Sequence, residues 1–287
     1  NDPSYWNHPE THPFQRIAFN NWMSDKYLES KRQMYKTLKD TAPKLEYKGA
    51  QFWFMSGFIP YDYSLFAKYT DILSCDPYAS SAERREGRGI YNHGFATKLL
   101  RDLGGKPTTT VVQAFTYAGY TPKPSDLREW VSQALKTGAS GIEFYEAAEK
   151  YGNPALYKEM LRISKLVTSM KKVKLPENAD TAIICSLDSE AAEESNGDQI
   201  YTAYSILGEK VGSWFDFVSD KQLKRDERIL SKYKIVYLPL AKYMEKPVVE
   251  KLTDYVRNGG TLVIGDPESF SYDEEGASLA AFREKLC

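Results

Sequence analysis

Several features that would point directly to a function are missing from this chain of 287 residues. Its net charge is −1, with 38 basic and 39 acidic residues interspersed, so no basic surface for nucleic acid or anionic lipid is expected. No apolar run approaches the roughly 20 residues that cross a bilayer, and no signal-peptide pattern stands at the start. Nucleic-acid and membrane partners are therefore not favoured, and the cellular compartment stays open.

Cysteine is scarce, and motifs for metals and cofactors are missing. Cys75 and Cys185 fall within predicted buried strands and Cys287 is the last residue, a pattern typical of small core residues rather than of disulfides or metal ligands. Prolines beside His8 and His12 argue against the helix that would bring both imidazoles to one face. No Gly-x-Gly-x-x-Gly motif follows a predicted strand. The sequence therefore predicts no metal and no cofactor.

Hydrophobic periodicity predicts alternating strands and helices in the first part of the chain. A long amphipathic helix is predicted over Phe14–Lys39. Strands are then predicted at Tyr47–Ser56, Asp71–Asp76, Thr108–Phe115 and Ser140–Tyr145. Helices are predicted near Tyr63–Tyr69, Ile90–Leu103, Asp126–Lys136 (N-cap Ser125, stop at Gly138) and Pro154–Met170. This alternation predicts a parallel sheet, either an open one or four of the eight units of a (β/α)₈ barrel.

A second domain is predicted after the lysine-rich segment Lys171–Asp180, with a boundary near residue 176. Strands and helices alternate again there, which predicts a doubly wound, flavodoxin-like α/β domain. The predicted elements are strand Thr181–Leu187, helix Asp198–Val211, strand Trp214–Val218, helix Lys221–Leu230, strand Lys234–Pro239, helix Pro247–Arg257 and strand Thr261–Gly265. A glutamine amidotransferase would need a cysteine after its central strand, and Ala241-Lys242-Tyr243 stands there instead. We therefore expect this domain to be non-catalytic.

Four polar residues lie near the carboxyl ends of strands that should be apolar: Ser74, Asp76, Gln113 and Glu143. Ligands bind at such strand ends in parallel α/β folds. Because successive strand residues face opposite sides, parity predicts that Asp76, Gln113 and Glu143 point away from the covering helices, into a shared interior or crevice. Alternatively, these side chains hydrogen-bond to one another or to trapped water as part of the core.

Aromatic residues are dense around the same strand ends, notably Trp53, Tyr78, Phe115 and Tyr117. Aromatic faces stack on sugar rings and phenol hydroxyls bond sugar hydroxyls, so this composition fits a carbohydrate cleft, although ordinary core packing accounts for most of these residues equally well. Glu146 would face the other way in a regular strand and reaches the site only if it turns in from the loop. A saccharide ligand is the leading hypothesis.

Several motifs, in this order, resemble the carboxyl-terminal portion of a clan A glycoside hydrolase of the family 42 β-galactosidase type. They are Asn7-His8-Pro9, Asp76-Pro77-Tyr78, Gly105-Lys106-Pro107, Ala139-Ser140-Gly141-Ile142 and the segment 255–263 (YVRNGGTLV). The resemblance implies a glycoside hydrolase-like portion of a TIM-type β/α barrel over residues 1–176. It also implies an amidotransferase-like, trimerisation-type domain over residues 177–287, through which a homo-oligomer would form.

The resemblance further implies two catalytic glutamates, an acid/base after the fourth barrel strand and a nucleophile at the end of the seventh. If Tyr47–Ser56 follows the fourth strand, the acid/base lies upstream of Asn1. The strand equivalent to the seventh, Pro107–Phe115, offers Val112 and Gln113 where this glutamate is expected, and a glutamine cannot act as a carboxylate nucleophile. Glu143 is then the best remaining carboxylate, with Asp76 as its partner.

Two hypotheses follow from this pattern, and a third comes from the second domain. The first is a carbohydrate-active glycosidase in which Glu143 and Asp76 are catalytic and Gln113, Trp53, Tyr78, Phe115, Tyr117 and Glu146 bind substrate. The second is a non-catalytic carbohydrate-binding or oligomerisation fragment. The third is a different small ligand bound at the carboxyl ends of the Thr181–Leu187 and Lys234–Pro239 strands.

Overall fold

A computed structural model describes residues 12–52, 61–78, 89–145, 152–171, 173–193 and 197–286. The chain divides into two compact units. One comprises Asn1–Lys36, Ile59–Phe66 and Pro176–Cys287, and the other comprises Thr37–Phe58 and Ala67–Leu175. The first 36 residues and a short later segment thus group with the carboxyl-terminal part, whereas the domain limit at residue 176 stays a prediction.

The first sheet is four-stranded and wholly parallel, with strand order β1-β2-β3-β4. The described elements are α1 (Pro13–Thr41), β1 (Lys48–Phe52), α2 (Tyr63–Phe66) with a 3₁₀ turn (Ala67–Tyr69), β2 (Ile72–Cys75), α3 (Asn92–Gly104), β3 (Thr108–Gln113), α4 (Pro124–Lys136), β4 (Gly141–Tyr145) and α5 (Pro154–Ser169). All four predicted strands and the parallel α/β class are confirmed. Strands that are neighbours in sequence are also neighbours in the sheet, as they are in a β/α barrel.

An ion pair shows that this sheet is curved. Lys48 on β1 bonds directly to Glu143 on β4, although β2 and β3 lie between them. Neighbouring strands lie about 4.8 Å apart and side chains stand roughly perpendicular to a sheet, so on a flat sheet these two tips would stay about 14 Å apart. The face that carries Lys48 and Glu143 is therefore concave, which favours an arc of a barrel over a flat open sheet.

The helices cover the opposite, convex face. Val112 packs in one cluster with Leu127 and Trp130 of α4, and Ile142 and Phe144 pack against that cluster. This arrangement confirms the parity prediction for β3 and β4, and it leaves the alternate residues of those strands on the concave face.

On the helix side of β2, the Cys75 Sγ lies 4.0 Å from the Thr110 Oγ1, and the Thr110 hydroxyl lies 2.6 Å from that of Thr97 on α3. A Cβ on Gly104 would collide with the Leu73 side chain, so α3 ends directly against β2. Leu73 and Cys75 therefore face the helices as parity predicts, and Ser74 faces the concave side.

The second sheet is also parallel, and its order is β6-β5-β7-β8. The second strand of the sheet thus lies on one side of the first, and the third and fourth strands lie on the other side. The described elements are β5 (Thr181–Cys185), α6 (Leu187–Glu193), α7 (Asp198–Tyr204) with a π-helical extension (Ser205–Lys210), β6 (Asp216–Ser219), α8 (Asp220–Arg225) with a 3₁₀ turn (Glu227–Lys232), β7 (Ile235–Leu238), α9 (Lys246–Arg257), β8 (Thr261–Ile264) and α10 (Ala280–Leu286). This reversal is the order expected for the first four strands of a doubly wound sheet. The flavodoxin-like and amidotransferase-like labels themselves stay predictions.

Three local predictions differ from the structure. Ser125 lies inside α4, because Pro124 takes the first helical position and the N-cap is Lys123, whose N–H donates to Asp126 at 2.7 Å. The helices α6 and α10 were not predicted. The long helix α1 is confirmed, yet it buries Arg16, Ile17 and Ser24 rather than a full apolar stripe.

Two features are missing from the described part of the chain. None of its helices combines the length and the apolar character that crossing a membrane would require. The described histidine, cysteine, aspartate and glutamate side chains form no group of three or more that could hold a metal ion.

Candidate functional site

The concave face of the first sheet carries polar residues in successive layers. Ser74 pairs in register with Thr109, and Thr109 pairs with Gly141. One layer nearer the carboxyl ends, Val111 pairs with Glu143, and continuing the β2 register places Asp76 level with both. The predicted residues Asp76 and Glu143 therefore lie in one layer of the concave face.

Glu143 has a cationic partner that sequence parity did not single out. Its Oε2 bonds to the Nζ of Lys48, and the two side chains are 37% and 36% exposed, respectively. Lys48 could have been found from the sequence only as an inward-facing residue at the start of a strand, because its partner lies three strands away.

Asp76 follows the last residue of β2 and is partly buried. Its Oδ1 has no hydrogen-bond partner in the described structure, and the backbone of this turn is held by a bond from the Tyr78 N–H to the Asp76 carbonyl oxygen at 2.9 Å. Burial raises the pKa of the Asp76 carboxyl to about 6, against a smaller opposing effect of its own backbone N–H. The group can therefore donate or accept a proton near neutral pH.

Ser74 lies one layer deeper on the same strand. It is fully buried, and its Oγ has no hydrogen-bond partner in the described structure. Buried hydroxyls normally bond to protein or to ordered water. Ser74 and Asp76 thus place two unsatisfied polar atoms along one line of the concave face.

Gln113 is fully buried and has a structural task. Its Nε2 donates to the carbonyl oxygens of Phe115 at 3.1 Å and of Tyr120 at 3.3 Å. These bonds connect the end of β3 to both sides of the turn that follows. The amide nitrogen of Gln113 is therefore committed to main-chain acceptors.

The turn after β3 is a tight hairpin. Tyr117 and Tyr120 exchange both main-chain hydrogen bonds, at 3.0 and 2.8 Å, and Ala118 and Gly119 between them have φ angles of +43° and +75°. Positive φ at both central residues defines a type I′ turn, which strongly favours glycine, asparagine or aspartate. The sequence signal for this turn was weak, because alanine occupies the first of the two positions.

Four aromatic rings gather beside these residues. Tyr78 meets Phe115 edge-on with ring centroids 5.1 Å apart, and it lies 5.7 Å from Tyr117 and 6.1 Å from Tyr145. Tyr78 is buried whereas Tyr145 is 50% exposed, so the cluster runs from the core to the surface. Three of the predicted substrate-binding residues are thus brought together, while Trp53 and Glu146 lie outside the described residues.

Doubly wound folds bind ligands at the carboxyl ends of their strands, at the point where the strand order reverses. In the other compact unit, this point lies between β5 and β7. Here the start of α1, which belongs to the same unit, occupies that position. Phe14 packs edge-on against Tyr243 with centroids 5.6 Å apart, and the Arg16 Nε donates to the Ala191 carbonyl oxygen at 3.1 Å. The hypothesis of a small ligand at these strand ends gains no support.

A buried charge cluster connects the segments that follow β5, β6 and β7. The Lys221 Nζ lies 2.7 and 2.8 Å from the two carboxylate oxygens of Asp188 and 2.8 Å from the Glu245 Oε1. Burial alone would lower the pKa of Lys221, but Asp220, Asp188 and Glu245 outweigh it and raise that pKa. Lys221 is therefore protonated at neutral pH, and the cluster is structural.

Comparison with known proteins connects this geometry to a family. The sequence profile described as "Beta-galactosidase" of glycoside hydrolase family 42 matches residues 2–168, and the profile "Beta-galactosidase trimerisation domain" matches residues 179–275. The chain belongs to glycoside hydrolase family 42. The family 42 resemblance of the sequence motifs is thereby confirmed.

Individual relatives agree with this membership. The beta-galactosidase bgaB of Geobacillus kaustophilus is 27% identical over 283 residues, which cover 88% of this family 42 chain and 40% of the relative. The chain therefore spans about 40% of the length of this curated relative.

Solved structures show the fold. The beta-galactosidase of Bacillus circulans sp. alkalophilus superimposes with a TM-score of 0.72 at 21% identity, covering 91% of this chain and 41% of that one. An exo-carrageenase of family GH42 from Bacteroides ovatus gives a TM-score of 0.67 at 15% identity, covering 93% and 40% of the two chains. Differently named activities therefore occur on this fold.

Proposed function

We propose that this chain forms part of a carbohydrate-active protein of the glycoside hydrolase type, with its saccharide site at the carboxyl ends of β2, β3 and β4. The observation that carries the proposal is the common layer of Asp76 and Glu143 on a concave face, flanked by the aromatic cluster around Tyr78. A sugar ring stacks on such rings while its hydroxyls bond to the carboxylates. By the names of the relatives, a β-galactoside is the first substrate to test.

The two carboxyl groups suit complementary roles. A raised pKa makes Asp76 a proton donor to a leaving-group oxygen near neutral pH, which is the task of the general acid in glycoside hydrolysis. Glu143, whose carboxylate bonds to the ammonium group of Lys48, is the group proposed for the second role. Two carboxyl groups in unlike surroundings are the arrangement from which acid and base roles arise.

A second candidate function is saccharide binding without hydrolysis. The end of β3 favours it, because Val112 and Gln113 stand where the family resemblance leads one to expect the nucleophilic glutamate. An amide cannot form a glycosyl-enzyme ester. In this alternative Asp76 and Glu143 accept hydrogen bonds from sugar hydroxyls and take no part in bond cleavage.

One experiment separates the two candidates. In the complete protein as its gene encodes it, Glu143→Gln and Asp76→Asn are compared with Glu46→Gln, a control at an exposed position before β1. If the protein is a hydrolase, both site variants lose at least 100-fold in kcat/KM on an aryl β-galactoside and the control keeps full activity. If the protein only binds saccharides, no variant hydrolyses the substrate and the site variants lose affinity in calorimetry. Unchanged activity and binding in Glu143→Gln would remove this site from consideration.

For the assembly, we propose the limits 1–176 for the barrel portion and 177–287 for the second domain, and self-association through the latter. The support is the profile match over residues 179–275, whose description names trimerisation. Light scattering of the complete protein tests it, and a monomer at micromolar concentration would contradict it.

A further inference from the structure

An apolar trough lies between helices α4 and α5, in the compact unit that contains the first sheet. It consists of two adjoining cavities of about 390 and 490 Å³, and the second cavity reaches the residues that lead into β3 and β4. We name this surface the helix trough. Four apolar residues line both cavities, so the two are continuous: Leu135, Val167, Met170 and Val173.

The floor of the helix trough is open to solvent. Leu166 and Met170 both line the first cavity, and they are 49% and 43% exposed. A pocket for a small molecule buries most of the surface of its ligand, and walls that are half exposed do not enclose one. Large aliphatic side chains that are exposed side by side are instead typical of surfaces that bind another macromolecule.

The charged residues around this floor are all basic. None of the described lining residues is an aspartate or a glutamate, although the whole chain carries a net charge of only −1. Two nearby carboxylates are each shared by two cations, Glu159 by Arg128 and Arg162 and Asp102 by Arg101 and Lys98, so a positive excess remains in both places. A partner that carries acidic groups is therefore favoured. The basic lining residues are Arg101, Lys106, Arg128, Lys136, Arg162 and Lys171.

The composition of the floor indicates which macromolecule the trough binds. No aromatic ring is among the described lining residues. Saccharides and single-stranded nucleic acids stack on aromatic rings, so neither is favoured here. Leucine, valine and methionine match the aliphatic side chains of a polypeptide, and methionine is frequent at surfaces that bind peptides.

We propose that the helix trough binds an amphipathic, acidic helix of a partner protein. Its apolar residues at i, i+4 and i+7 pack on Leu166 and Met170, and its aspartate and glutamate side chains bond to the surrounding arginines and lysines. Arg162 and Met170 are separated by eight residues, so the α5 side of the trough is about 12 Å long and accommodates two to three helical turns. The inference is independent of the proposed function, because this trough reaches the amino ends of β3 and β4 whereas the saccharide site lies at their carboxyl ends.

The test measures the binding of synthetic peptides to the complete protein by fluorescence anisotropy. The probe is a labelled helix of about 15 residues with leucines at i, i+4, i+7 and i+11 and glutamates at the flanking positions. One control peptide has lysine in place of every glutamate, and a second has the same composition in scrambled order. The glutamate peptide should bind at least about tenfold more tightly than either control.

Protein variants then locate the bound peptide. Leu166→Gln and Lys171→Glu should each weaken binding at least about fivefold, because they remove an apolar contact and reverse a charge in the trough. The matched controls are Leu161→Gln, at a position 47% exposed on α5 outside the trough, and Lys165→Glu, at an exposed position on the same helix. Both should bind as the wild type does. Circular dichroism checks folding, and Met170→Gln replaces a variant that does not fold.

Several results would overturn the proposal. Failure of the glutamate peptide to bind, or equal binding of the lysine or the scrambled peptide, would remove the acidic amphipathic helix as the ligand. Site variants that bind as tightly as their controls would place the peptide elsewhere on the protein. Phosphatidylserine vesicles are tested in parallel, and binding to them without binding to the peptide would show that the surface recognises lipid instead. None of these measurements involves hydrolysis, so their outcome is separate from that of the proposed function.

Discussion

Replacing Lys221 with methionine should be among the most damaging single changes in the unit that contains β5 to β8. Lys221 is 13% exposed, and it neutralises Asp188 and Glu245, whose side chains are 1% and 7% exposed. Removing one member of a buried ion pair leaves an uncompensated charge and costs about 3–5 kcal/mol. Because Asp188 loses its ammonium partner and Glu245 keeps only the more exposed Lys224, we expect a loss within that range.

Lys224 provides the matched control. It also bonds to Glu245, but its side chain is 49% exposed, so Lys224→Met should cost less than about 1 kcal/mol. Both variants are compared with the wild type in urea at pH 7.5, with the free energy of unfolding obtained from far-ultraviolet circular dichroism. The double variant Lys221→Met/Asp188→Asn should recover part of the loss, because it also removes one of the stranded charges. A loss for Lys221→Met no larger than that for Lys224→Met would refute the reasoning.

Three further predictions concern the first sheet. The folded protein holds the Asp76 proton up to about pH 6 whereas the unfolded chain releases it near pH 3.9, so stability falls as pH rises between these values. Asp76→Asn should therefore raise the free energy of unfolding by about 1–2 kcal/mol above pH 6, after allowance for the partial exposure of the side chain. Below pH 4 it should have no effect. Urea titrations that show a gain of equal size at both pH values would contradict this prediction. A double-mutant cycle on Lys48→Met and Glu143→Gln should give a coupling below about 1 kcal/mol, because both side chains are more than a third exposed, and a value above 3 kcal/mol would show that the pair is effectively buried. Burial raises the pKa of the Cys75 thiol to about 12. Iodoacetamide at pH 8 should therefore leave Cys75 unmodified until urea is added, as measured by peptide mass spectrometry. Rapid labelling of the native protein would contradict this prediction.

The fold was largely predictable because its strands are short, apolar and separated by amphipathic helices. The segment Thr108–Gln113 is buried on both faces and reads as a strand from its own residues. Helix α6 could not be found in this way, because the segment Leu187–Glu193 has no apolar stripe. Its burial comes from contacts distant in sequence, such as that between Asp188 and Lys221.

The candidate site was predictable in one respect and not in another. Strand parity is a local property, so the sequence could place Glu143 on the face opposite Ile142 and Phe144. The partner of Glu143 is set by the curvature of the sheet, which brings β1 within reach of β4, and no local pattern contains that information. Lys48 was missed for this reason.

Gln113 decides how the family resemblance should be interpreted at the reaction centre. Its amide N–H groups bond to the carbonyl oxygens of Phe115 and Tyr120, and a glutamate carboxylate has no N–H with which to replace them. Gln113→Glu would leave two carbonyls without these donors and place a carboxyl group at a fully buried position, which should cost at least about 2 kcal/mol of stability.

We therefore expect Gln113→Glu to lower the free energy of unfolding in urea and to give no gain in aryl β-galactoside hydrolysis by the complete protein. Gln15→Glu, at an exposed position on α1, serves as the control for the charge change. A stable Gln113→Glu protein with at least a tenfold gain in kcat/KM would show that position 113 can still hold a nucleophile. Without such a gain, the hydrogen bonds of Gln113 serve to brace the turn that carries Tyr117, and Glu143 and Asp76 stay the carboxyl groups proposed for the site.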